Sequence, residues 1–227
     1  MMNFFIPIAM AFAVVAATES NVSPDCKAGL LDFKSYVLNS QASAGNSVCS
    51  TSSKDSETAI EWSSSFNVFE DDPTYKVSSA FAKTKFPWMP LDSIREVHAT
   101  FSFGISEQQS GNSSSAVIKI NTGRRTDGSA TFVHIIRLAF YNGPVVATSS
   151  EDSTVVVNGM LFHVITNKVN DVTTFTYIPY QNAMKFVGNL LDFPKSLPKD
   201  SITLPLDLLS IEAGSEVQPS RYLAQEA

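Results

Sequence analysis

Glu216 ends the segment Ile211-Glu212-Ala213-Gly214-Ser215-Glu216, where an apolar-rich run from Ile202 to Ile211 meets a Gly-Ser pair. A glutamate beside a glycine at a strand end can reach into a cleft and act as acid or base. Cleaving a glycosidic bond needs two such carboxyls facing each other. The longest predicted strand, Thr131 to Phe140, carries no carboxylate. Read as alternating, it puts Phe132, His134, Ile136, Leu138 and Phe140 toward a core, and Val133, Ile135, Arg137 and Ala139 on a face that could floor a groove. Valine has no lone pair to attack with. Arg137 on the groove face could reach Glu216, lower its pKa and keep it ionised. A general acid needs the reverse. Arg137 pointing to solvent is the plain alternative.

Other chemistries have less support. His98, His134 and His163 are dispersed on predicted strands, in no zinc-ligand spacing, and read as structural. The chain contains no Gly-x-Ser-x-Gly elbow and no phosphate-binding glycine loop. No metal or cofactor is expected. The formal charge of −6 argues against nucleic acid, and Arg124-Arg125, the one adjacent basic pair, reads as a loop tip. No basic stripe or amphipathic surface helix suggests membrane binding.

The chain has 227 residues, and Phe4 to Ala17 is almost wholly apolar and followed by small residues, the pattern of a secretory leader cut near Ala17 or Thr18. That leaves 18–227 as one domain. In an oxidising compartment the two cysteines, Cys26 and Cys49, read as a disulfide. Asn112-Ser113-Ser114, in a polar run, is a good glycosylation acceptor; Asn21-Val22-Ser23, followed by Pro24, is a poorer one.

The elements that must position these groups are strands. Alternation predicts them over Ala59–Phe66, Val97–Phe103, Ala116–Ile120, Thr131–Phe140, Thr154–Val157, Met160–Ile165 and Val172–Ile178. Turn signals separate them, Asn158-Gly159 being a strong tight-hairpin signal. Ser50 to Ser56 reads as a solvated loop. From Ala183 to Phe193 the apolar spacing is helical, with Pro194 as its end. The expected fold is all-β, a sandwich of antiparallel sheets with one short helix outside.

In order and spacing the pieces resemble glycoside hydrolase family 12, over most of residues 18–227. Early cysteines bracket Tyr36-Val37-Leu38-Asn39, followed by Ile60-Glu61-Trp62-Ser63-Ser64-Ser65-Phe66. Ser93-Ile94 precedes Ala99-Thr100-Phe101-Ser102-Phe103. Ile135-Ile136-Arg137-Leu138-Ala139 with Gly143-Pro144 resembles the family's central strand and turn, and Leu208–Glu216 its Leu-x-x-x-x-Ala-Gly-Thr-Glu-Pro block. The resemblance implies a jelly roll and the retaining chemistry of secreted endo-β-1,4-glucanases and xyloglucanases. It puts Glu216 at the acid/base position and makes Asn39 and Arg137 candidate substrate-binding residues.

The departures from the family fall on its functional face. Alignment on Leu138-Ala139 puts Val133 at the nucleophile of Glu-x-Met-x-Trp, with Ile135 at the Met and Arg137 at the Trp. Asn121 aligns with the Asp that supports the nucleophile, and Gly29 and Ala42 with stacking tryptophans. Asp127, in a turn signal, is a poor replacement nucleophile. Nine residues follow Gln218, so the family's last strand is expected to be missing or displaced.

The expectation is a secreted, extracellular and monomeric protein of xyloglucan or β-1,4-glucan degradation ancestry that has lost hydrolysis. Its partners would be the polysaccharide, or extracellular proteins that recognise active relatives. The alternatives are an active endoglucanase with Glu216 as acid/base and an unidentified nucleophile, and a degenerate non-enzymatic product with an exposed sheet edge.

Overall fold

Alternating apolar and polar residues, turned at Gly, Asn and Pro, generate two facing sheets in the computed structural model. It describes residues 5–16, 28–43, 46–68, 77–107, 112–124, 128–141, 153–198, 201–202 and 206–219. The smaller sheet has five strands, in the order β14 (Lys185–Asn189), β8 (Glu96–Glu107), β1 (Phe5–Ala16), β5 (Ala59–Asn67) and β4 (Ser47–Asp55). The larger has ten. Their order is β11 (Ser153–Val157), β12 (Met160–Val169), β13 (Val172–Pro179), β10 (Ala130–Tyr141), β9 (Asn112–Gly123), β15 (Asp207–Pro219), β6 (Ser78–Thr84), β3 (Tyr36–Gln41) and β2 (Gly29–Asp32), with the short β7 (Met89–Pro90) beside β15. Most neighbours are antiparallel; β10–β13, β1–β5 and β1–β8 are parallel. Asn158 and Gly159 both have positive φ, 51° and 77°, and close the β11–β12 hairpin. The predicted all-β sandwich with one short helix is the architecture found.

Most inward residues from both sheets share one core, and Val48, Phe66, Val68, Ala80 and Val217 form a smaller cluster apart from it. Trp62, Phe101 and Phe103 of the smaller sheet lie in it with Ile118, Ile136, Leu138 and Tyr177 of the larger. Between β3, β4 and β5 buried hydroxyls pair as well. Ser50 Oγ bonds Ser40 Oγ at 2.6 Å and Ser64 Oγ at 2.7 Å, and all three side chains are buried. The run Ser50–Ser56 is therefore largely strand β4, not a solvated loop. Ser50 pairs with serines of β3 and β5 inside the sandwich, which satisfies it without water.

The helix expected over Ala183–Phe193 is not formed. Lys185–Asn189 is strand β14, antiparallel to β8, with Phe186 buried and Lys185 and Val187 exposed. The helix, α1, spans Asp192–Ser196. Pro194 lies in its first turn, where a missing N–H costs little. Phe186, Leu190, Leu191 and Phe193 are all buried, as the helical reading required. A strand, a turn and a short helix bury these four, while Met184 and Val187, which the helical spacing also placed on the buried face, are exposed. Asn189 makes the turn: its Oδ1 accepts from the N–H of Val97 at 2.8 Å and of Leu191 at 3.2 Å.

Residues 5–16, expected to be a leader, form β1. They pair with Ala59–Ser65 of β5 and Glu96–Glu107 of β8.

Candidate functional site

One face of the larger sheet gathers the polar residues of its central strands. Register places Ser210 of β15 beside Asn121 of β9, and Asn121 beside Val133 of β10. The next row holds Glu212, Lys119 and Ile135, and the row after it Gly214, Val117 and Arg137. Glu216 lies one row further, opposite Ser115 and Ser79. It is therefore in mid-strand, not at a strand end.

Gly214 is required for that placement. A Cβ on it would lie 1.9 Å from the carbonyl oxygen of Ala80, because β6 passes directly alongside. Gly214→Ala is expected to destabilise the fold by about 2 kcal/mol through overpacking. The urea midpoint of the variant checks this; an unchanged midpoint contradicts the close approach.

Both oxygens of Glu216 are engaged by cations. Lys119 Nζ lies 2.8 Å from Oε1 and Arg137 Nη1 lies 3.2 Å from Oε2, and the glutamate side chain is 13% exposed. Burial raises the pKa of this carboxyl, but Lys119 and then Arg137 outweigh it and hold the group below its usual value. Both cations are themselves anchored. Lys119 sits 4.0 Å over the Phe81 ring, and Arg137 also donates to Ser115 Oγ at 2.7 Å. The Arg137–Glu216 contact could be anticipated from strand alternation. Lys119 was missed, although its spacing of two from Asn121 on β9 puts it on the same face.

Val133 does not face Glu216. From Ser115, opposite Glu216, to Asn121, opposite Val133, is six residues of β9, roughly 20 Å. No register-preserving substitution at 133 could complete a pair with Glu216. The side chain that reaches Glu216 from β10 is Arg137. Beyond it the predicted alternation changes, because a bulge between Arg137 and Ala139 turns Ala139 inward and leaves Phe140 half-buried on the Arg137 side.

Glu212 is a second carboxylate on this face and was not identified from the sequence. Its Oε1 accepts from Ser210 Oγ at 3.2 Å and Asn121 Nδ2 at 3.5 Å, with Lys83 Nζ at 3.8 Å. Asn121, the position aligned with a nucleophile's helper, thus supports Glu212. Trp88 lies at this end of the face, where Lys83, Asn121, Ser210 and Glu212 share with it a hollow of about 340 Å³.

No family model and no curated protein matches this sequence. Solved structures do match. Trichoderma harzianum endoglucanase 3, from family 12, aligns with a TM-score of 0.69 at 14% identity, over 88% of this chain and 97% of that one. The fold is that of the family 12 glycoside hydrolases. The catalytic domain of Humicola grisea Cel12A, in complex with a thio cellotetraose, gives 0.63 at 13% identity over 86% and 95% of the two chains. A family 12 xyloglucanase from Bacillus licheniformis gives 0.63 at 15% over the same shares.

On this family 12 fold the remaining candidates scatter. Asn39, in β3, is half-buried opposite Phe81 and Leu30, two strands from Glu216. Gly29 has open space where a side chain would stand, and Ala42 is exposed, so neither brings an aromatic platform. Asn112 is 3% exposed and begins β9, and Ser113–Ser115 are buried with it. The sequon Asn112-Ser113-Ser114, expected in an exposed run, lies in strand β9, and the folded chain does not present Asn112. Cys49 stands in β4, while Cys26, Asp127 and the Asn21 sequon lie outside the described residues. His134 is fully buried, as its core-side position predicted.

Proposed function

We propose that this chain is a secreted protein of β-1,4-glucan or xyloglucan degradation ancestry that has lost hydrolysis. It holds a glycan outside the cell, or occupies proteins that recognise active relatives. The arrangement at Glu216 carries this reading. A retaining site needs a second carboxyl roughly 5–5.5 Å away, and a protonated acid to donate to the leaving group. Here Arg137 and Lys119 contact Glu216 at 3.2 and 2.8 Å, and both favour its ionised form. Glu212, the other acidic residue on this face among the described residues, is four residues along the same strand, roughly 13 Å by strand rise. A retaining pair is closer than that, and so is an inverting pair, at roughly 6.5–9.5 Å. Residues 1–17 act in this proposal as the secretory leader, and Cys26–Cys49 as a disulfide contributing about 3 kcal/mol. The working form is a monomer.

The test gives purified protein xyloglucan and β-glucan and counts reducing ends, with Glu216→Gln alongside. The expected result is no release above buffer for either protein, with glycan or a protein partner still bound. Release by the parent that disappears in Glu216→Gln would establish the alternative, an active endoglucanase with Glu216 as acid/base.

A further inference from the structure

Glu212, Asn121 and Ser210 take no part in the ion cluster at Glu216, yet they are built as a unit. Asn121 Nδ2 donates to Ser210 Oγ at 2.8 Å, and both side chains turn toward Glu212 Oε1, at 3.5 and 3.2 Å. Among the described residues every polar contact of Glu212 falls on Oε1, so Oε2 retains its capacity to accept. Lys83, at 3.8 Å, offsets the charge of Glu212.

These groups line the hollow of about 340 Å³, within the range of small-ligand sites. Trp88, 43% exposed, lines it too. Its ring is seated on Gly128: a Cβ there would meet Trp88 Cη2 at 2.6 Å, and the glycine has φ of +69°. An indole face beside a carboxylate, an amide and a hydroxyl suits a ligand with one apolar face and several hydroxyls. A neutral sugar ring has that character. The near-cancelling charges of Lys83 and Glu212 give no preference for an ionic ligand.

We infer that this hollow binds one sugar unit of a neutral β-linked glycan, with Trp88 as the stacking platform and Glu212, Asn121 and Ser210 as hydroxyl partners. The inference rests on the reading of this face as a glycan cleft, and moves the binding centre from Glu216 to the Trp88 end. The chain has two tryptophans, and Trp62 is 2% exposed, so acrylamide quenching reads Trp88. Cellotetraose is the probe. Saturating cellotetraose is expected to shield Trp88 from quenching. Trp88→Ala and Glu212→Gln should each weaken calorimetric binding about 10-fold, the size of a lost ring-stacking contact. Circular dichroism confirms that the variants fold. If cellotetraose binds while Trp88 stays fully quenchable and both folded variants bind as the parent does, the site is elsewhere and the inference fails alone. If the parent binds neither cellotetraose nor β-glucan nor xyloglucan, the inference fails together with the glycan-binding reading.

Discussion

Glu216→Gln is expected to lower folding stability by about 3 kcal/mol at pH 7, measured as a shift in urea midpoint. The substitution keeps the shape and removes the charge, leaving Lys119 and Arg137 to face each other with side chains 23% and 25% exposed. Removing one member of a buried ion cluster costs far more than losing a surface pair, because the desolvated partner charges stay behind. The pH dependence has a definite sign. The folded-state pKa of Glu216 is lowered, so its contribution is fully present above the unfolded value and is lost as pH falls through the folded one. The gap between parent and variant should therefore shrink below about pH 4. A carboxyl kept for catalysis behaves differently: active sites are often strained, and removing such a group commonly stabilises. A Glu216→Gln variant more stable than its parent would contradict the ion-pair account.

Between about pH 6.5 and pH 4 the protein is expected to lose about 3 kcal/mol through His134 alone. The ring is fully buried, and burial pushes its pKa down to about 4. Its surroundings explain why it resists protonation. The Tyr177 hydroxyl donates to the carbonyl of Phe193 at 3.0 Å, so its oxygen is left to accept from His134 Nδ1 at 3.2 Å. That assigns the proton to Nδ1 and leaves Nε2 as a buried acceptor with no partner. A proton added at Nε2 would create a buried cation with an unmet donor, against the stacked ring of Phe175 at 5.3 Å. In the unfolded chain the same histidine protonates near 6.5, so the unfolded state binds more protons in this window and stability falls as pH falls. Denaturation across pH 4–7 checks this, with His134→Phe as control. The variant should lose this part of the pH slope, and an identical slope in both proteins would remove His134 as the cause.

The strands on either side of the site were legible because their outer faces meet water while their inner faces meet the core. Alternation therefore located β8, β9, β10 and β13 and assigned His134 inward and Arg137 outward. What failed did so for local reasons. Phe186, Leu190 and Phe193 fit helical spacing, but a strand paired with β8, a turn and the short α1 bury the same three side chains. Ser50 looks like a loop residue until β3 and β5 supply hydroxyl partners, and Ser113 until the sandwich buries it. Motif alignment placed Val133 opposite Glu216 because it cannot see register; the ladders of β9 set them roughly 20 Å apart along the strand. The Trp88–Glu212 hollow depends on Trp88 seating on Gly128 and on a pairing across β9 and β15, neither of which leaves a local pattern.

The protonation state of Glu216 decides between an ion-paired carboxylate and a catalytic acid. Carbon-13 NMR of the glutamate side-chain carboxyls, with Glu216→Gln to assign the resonance, follows its titration directly. The predicted midpoint lies below the ordinary glutamate value, 4.5, because Lys119 and Arg137 together outweigh the effect of burial. A midpoint raised toward 6, the behaviour of a carboxyl poised to give a proton to a leaving group, would contradict it.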